Sequence, residues 1–198
     1  VIAQVINILY NIVDRIYIGH ISGVGAAALT GVGLTFPIIT LISAFSAFVG
    51  SGGAPLASIW MGKNDKKHAE KILGTGVFML LCFSLILMAV FLIFQRPLLY
   101  AFGASDATIG YAMEYLTIYL IGTVFVEIAL GLNPFIIAQG RSTTAMMSIV
   151  IGAVINIVLD PIFIFVFHMG VKGAAIATVI SQAVSAAWNV KALVDKKA

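Results

Sequence analysis

Six stretches of this sequence, near residues 1–20, 29–61, 70–95, 107–139, 143–167 and 172–193, are each apolar over the roughly 20 residues that a helix needs to cross a bilayer. Inside hydrocarbon no water satisfies the backbone, and a helix closes its own hydrogen bonds. The expected fold is therefore an all-α polytopic membrane protein, a bundle of six transmembrane helices over residues 1–198. The sequence is 61% hydrophobic and 10% charged, whereas a soluble domain carries about 25% charged residues. The second and fourth stretches exceed what a perpendicular span requires, so they should tilt or project into water. Pro37 and Pro55 in the second, Pro134 in the fourth and Pro161 in the fifth each lack an amide proton, and bends are expected at them. The run Gly50–Ala54 reads as a close helix contact. It is not a phosphate loop, because no Lys-Ser/Thr follows it.

Lysine and arginine are distributed unevenly between the stretches. Lys63, Lys66, Lys67, Lys71, Arg141, Lys191, Lys196 and Lys197 fall on one side of the expected membrane, and Arg96 and Lys172 on the other. The richer side is expected to be cytoplasmic, which places the N-terminus and the C-terminal tail inside and the chain in the cell (inner) membrane. The net charge of +3 forms no stripe on one face, so no nucleic-acid partner is expected. Cys82 stands alone in an apolar stretch, as core or lipid-facing filler, and excludes an internal disulfide framework and a thiolate metal cluster. The chain opens at Val1 within an apolar stretch, without a charged leader, so further residues are expected upstream.

Polar residues inside spans are costly and mark function. Gln4, Asn7, Asn11 and Asp14 recur at intervals of three and four and line one face of the first helix. Asn156 and Asp160 share a face of the fifth. With outer helix ends near His20, His168 and Val171, Asp14, Asp160 and Thr178 each lie roughly 9–12 Å below those ends at 1.5 Å per residue. That common depth permits one cluster.

Structural readings compete with this one. Asp14 could pair locally with Arg15, or Arg15 could snorkel; Asp160 could patch the backbone disturbed by Pro161; Thr178 could bond its own backbone. Glu127 is a mid-helix candidate without a sequence partner. Glu114, Tyr111 and Tyr115 resemble an interfacial belt, and His20, His68 and His168 fall at span ends, where water reaches them. Asn7, Asn11, Glu127 and Gln139 are candidates to line a cavity. No Ser/His/Asp set, no His-Glu-x-x-His and no paired cysteines occur, so no enzyme and no cofactor is expected.

The segments Asn11–Gly19, Ala138–Arg141, Asn156–Pro161 and Gly173–Thr178 resemble, in order, those of the multidrug and toxic compound extrusion (MATE) family, in its bacterial branch of DinF and MepA type exporters. The resemblance implies a cation-coupled antiporter of twelve helices in two six-helix lobes, of which this chain is similar to the N-terminal one. It also implies that Asp14, Asn156, Asp160 and Thr178 form an H⁺ or Na⁺ site. The implied partners are that ion, an amphipathic and often cationic small-molecule substrate, the lipid bilayer and a C-terminal six-helix lobe. Two other functions fit a membrane bundle. A lipid-linked precursor flippase of the wider superfamily would favour a basic cavity, and a non-transporting scaffold subunit would use its polar residues only to lock helices together.

Overall fold

The computed structural model describes residues 2–195, without the side chains of Ala3 and Gln4. Gln4 of the polar stripe, and Lys196 and Lys197 of the tail, therefore lie outside the description. The described residues form eight α-helices: α1 (Ile2–Gly19), α2 (Gly25–Leu34), α3 (Phe36–Gly62), α4 (Lys66–Ala101), α5 (Ile109–Ile121), α6 (Thr123–Ala138), α7 (Ser142–Pro161) and α8 (Val171–Val194). By length and composition four continuous runs can cross a membrane, namely Gly25–Gly62, Lys66–Ala101, Ser142–Val166 and Val171–Val194. The bent pair α5 and α6 makes a fifth. The helix over the first expected span, α1, is not among them, because Asn7, Asn11, Asp14 and Arg15 offset its aliphatic face.

The breaks lie where local chemistry permits. Between α2 and α3 the chain is interrupted only at Thr35, whose hydroxyl donates to the Val32 carbonyl at 2.6 Å. Pro37 sits in the first turn of α3, where its missing N–H would have had no partner anyway. At 36 residues, α4 is about 54 Å long and overshoots a hydrocarbon core of about 30 Å. Its first turn is capped by Asp65, which accepts from the His68 amide at 3.1 Å.

The fourth expected span departs from the sequence reading. It bends by 61° between α5 and α6, at Gly122, whereas Pro134 lies inside a continuous helix. Packing explains the place: a Cβ on Gly122 would stand 2.6 Å from Cγ2 of Val179 on α8, so the corner is pressed onto that helix. Pro134 instead abuts Gly50, where an added Cβ would meet its ring at 2.8 Å and the Gly131 carbonyl at 2.9 Å. Within the α3 glycine run, Gly50 and Gly53 are thus close helix contacts, while Gly52 is open.

After Pro161 the backbone widens into a π-turn over Ile162–Val166. Proline removes one rung of the helical ladder, and the next turn closes with Phe167 N donating to the Ile162 carbonyl at 2.9 Å. The chain then reverses through His168 and Gly170, both at positive φ.

The centre of the bundle is α6, which packs against α3, α4 and α8, while α8 packs along α7. One apolar core, including Ile42, Leu99, Leu116 and Val126, fills one end; a second, around Leu80, Leu132 and Phe135, fills the other. Lys172 and Glu114 meet at 3.8 Å at the first end. At the opposite, lysine-rich end Arg141 Nη1 donates to the Ala192 carbonyl at 2.6 Å. Peripheral α1 lies along α7 with Ile8, Leu9, Ile12 and Ile16 exposed.

Candidate ion site

Three helices bring the polar residues of the spans together. On α7, Asn156 and Asp160 are one turn apart, and Asn156 Nδ2 donates to Asp160 Oδ1 at 3.3 Å. The same nitrogen reaches Thr178 Oγ1 on α8 at 3.4 Å. The Thr178 hydroxyl itself donates to the Ala174 carbonyl at 3.0 Å, which leaves its lone pairs turned toward Asn156. From α1, which packs along α7, Asp14 brings a second carboxyl beside that of Asp160. All four are buried, with Asp160 0% and Asp14 9% exposed.

The donors are too few for these acceptors. Asp14 Oδ1, Asp160 Oδ2 and Asn156 Oδ1 are buried without a hydrogen-bond partner among the described residues. A buried acceptor left in this way costs about 1–3 kcal/mol, more when charged, and two carboxylates facing each other add repulsion. A proton shared between the acids, or a hard cation taking oxygen ligands, would relieve both. Among the described residues no group of three or more His, Cys, Asp and Glu side chains converges as a metal cluster.

Arg15 does not occupy this place. Its guanidinium turns outward to lie 4.3 Å from the centre of the Phe36 ring, and the side chain is exposed. Two tyrosines that the polar spacing missed border the cluster. Tyr10, one turn before Asp14, lies near both carboxyls, and Tyr115 lies near Asp14 and Thr178. The expectation that Tyr115 belongs to an interfacial belt is corrected: it is 5% exposed and stacks with Tyr119 inside the bundle. The signal for Tyr10 was present in the sequence, since it shares the stripe face at four residues from Asp14.

A polar seam continues from Thr178 toward the lysine-rich end. Ser181 donates to the Thr178 carbonyl at 2.7 Å, and Ser185 and Ser148 donate reciprocally to each other's carbonyls at 2.9 and 3.3 Å. Beside the seam lies a cavity of about 170 Å³ walled by Asn7, Tyr10, Asn133, Ser148, Gln182 and Ser185, among others. Of the cavity-lining candidates, Asn7 is on this wall. Asn11 is half-buried and donates to the Asn7 side chain at 3.0 Å. Gln139 lines a different cleft, of about 570 Å³, with Lys66, Glu70 and Phe135. Glu127 is 0% exposed on the face of α6 turned into the bundle, and it walls neither of these two cavities.

The MatE family model matches residues 1–162. The chain belongs to the MatE family. Among relatives, the multidrug export protein MepA of Staphylococcus haemolyticus is 30% identical over 184 residues, covering 93% of this chain and 40% of MepA. MepA of Staphylococcus aureus strain NCTC 8325 is 25% identical over 185 residues, covering 93% of this chain and 41% of the relative. A crystal structure of MATE in the bent conformation superposes with a TM-score of 0.90 at 31% identity, over 99% of this chain and 43% of that one. An inward-facing multidrug resistance MATE family transporter of the MOP superfamily gives 0.89 at 31% identity, over 96% and 42%. The chain thus spans about 40% of the length of the curated MatE relatives it matches, and it is a multi-pass, all-helical membrane protein of that family.

Proposed function

We propose that this MatE chain is the ion-binding lobe of a cation-coupled antiporter that exports amphipathic, often cationic, compounds, and that Asp14, Asn156, Asp160 and Thr178 hold the coupling H⁺ or Na⁺. The observation that carries the reading is the meeting of two membrane-buried carboxyls from separate helices, with oxygens that no donor satisfies. Loading a proton or Na⁺ cancels charge between α1 and α7. Such loading shifts the transporter between two arrangements only by the difference in affinity between them, and the α1–α7 contact is where that difference would arise. A second six-helix lobe would complete the transporter, since alternating access moves one bundle against another. The lysine-rich end, with both termini, would face the cytoplasm. The wall of the 170 Å³ cavity carries amides and hydroxyls and no Lys or Arg, which favours export of cationic amphiphiles over the flippase reading.

The test is Asp14→Asn and Asp160→Asn, each in the intact two-lobe transporter, scored for efflux driven by an imposed proton or Na⁺ gradient and for folded protein in the membrane. Asparagine keeps the shape but cannot change charge, so each variant should fold and lose gradient-driven efflux. Normal efflux in both would remove the ion site and leave these polar residues only a helix-locking role.

A further inference from the structure

Helices α3 and α4 diverge along a groove of about 670 Å³ that shares no residue with the Asn7–Ser185 cavity. Its floor is made by small residues. Gly52 has nothing within 4 Å of where a Cβ would stand, and Gly53 and Gly76 rest on the Phe135 ring, where added Cβ atoms would come within 2.5 and 3.2 Å. Its sides are Phe48, Leu56, Ile72 and Met79. Thr75 turns its hydroxyl to the Lys71 carbonyl at 2.8 Å and so has no donor to spare for the groove.

Charge is confined to one end. There His68 stacks on Trp60 with ring centres 4.4 Å apart, Lys63 Nζ stands 4.6 Å from the centre of the same indole, and Lys71 lies on the rim. Asp65 fixes the His68 ring at 2.6 Å. From Phe48 to Trp60, at 1.5 Å per residue, the groove runs about 18 Å, close to the depth of one leaflet's hydrocarbon, about 15 Å. An indole at the charged end is the usual mark of the headgroup level.

We infer that this groove binds an anionic phospholipid, its phosphate held by Lys63, His68 and Lys71 at the Trp60 end and one acyl chain lying over Gly52 toward Phe48. The occupant follows from the shape of the polarity. An apolar trough one leaflet deep with a basic cluster at one end complements an anionic head with a single-direction tail, and basic pockets between helices are where acidic headgroups bind. A cationic amphiphile would meet Lys63 and Lys71 at the Trp60 end and be repelled.

The test uses Trp60 as the sole tryptophan of the intact transporter in vesicles containing chain-brominated lipid. Brominated phosphatidylglycerol should quench Trp60 at several-fold lower mole fraction than brominated phosphatidylcholine. Lys63→Gln and Lys71→Gln should each remove about fivefold of that preference, and Gly52→Leu, which fills the floor, should weaken quenching by both lipids. Equal quenching by the two lipids in the unaltered groove overturns the proposal, as does an anionic preference that survives both lysine substitutions. Absence of quenching by either lipid also overturns it and assigns the groove to protein.

Discussion

Replacing Gly50 by alanine tests how tightly α3 and α6 cross at the centre of the lobe. The new Cβ would stand 2.8 Å from Pro134 Cγ and 2.9 Å from the Gly131 carbonyl oxygen. Comfortable carbon contacts begin near 3.5 Å, so the helices must part by roughly 0.6–0.7 Å. Neither a proline ring nor a backbone carbonyl can rotate out of the way. Overpacking of this kind costs about 1–3 kcal/mol, against a gain of up to about 1 kcal/mol from alanine's helix propensity. Gly52, two residues on, isolates the contact term, because nothing lies within 4 Å of its added Cβ and the propensity gain is the same. Gly50→Ala should therefore be less stable than Gly52→Ala by about 1–3 kcal/mol in reversible unfolding of the intact transporter by sodium dodecyl sulfate in mixed micelles. Variants indistinguishable within error would refute the close crossing.

Two further outcomes are expected. Asp65, in the exposed turn before α4, is held below the usual carboxylate range by the His68 amide first and the His68 ring second. Because its folded value is depressed, the cap is fully present above the ordinary value of about 4 and is lost as pH falls through the lower one. Protection of the His68 and Ala69 amides from hydrogen exchange should fall across that acid window and become independent of pH in Asp65→Asn. In a Cys82→Ala background, cysteine at position 67 should resist an impermeant thiol reagent in intact cells while cysteines between Arg96 and Asp106 react; labelling at position 67 would invert the topology.

The parts of this structure visible in the sequence are those governed by spacing along one helix. The Asn7–Asn11–Asp14 interval and the Asn156–Asp160 interval each fix a face, and Asn156 bonds Asp160 within α7 and Thr178 across on α8. What depends on packing between helices was not visible. The bend falls at Gly122 because Val179 presses there, and nothing near Gly122 in the sequence announces Val179; Pro134, the obvious breaker, is absorbed by the Gly50 gap. Tyr115 was misplaced for a related reason. A tyrosine or glutamate within an apolar helix has the same spacing whether it faces headgroups, a cavity or another helix, and only rotation about the axis separates these cases.

The meeting of Asp14 with α7 has a consequence for how the chain is made. The two acids are separated by 146 residues (160 − 14), and at about 5–20 residues per second synthesis takes about 7–30 s to cover that interval. Through this interval α1 carries a carboxylate and a row of amides without α7, the helix that faces them, at a cost the bilayer alone does not offset. Until α7 emerges, α1 is the part of the lobe held least firmly in the bilayer. Substitutions that weaken α7 should then show themselves as degradation of the newly made N-terminal segment, before any finished transporter exists to be assayed.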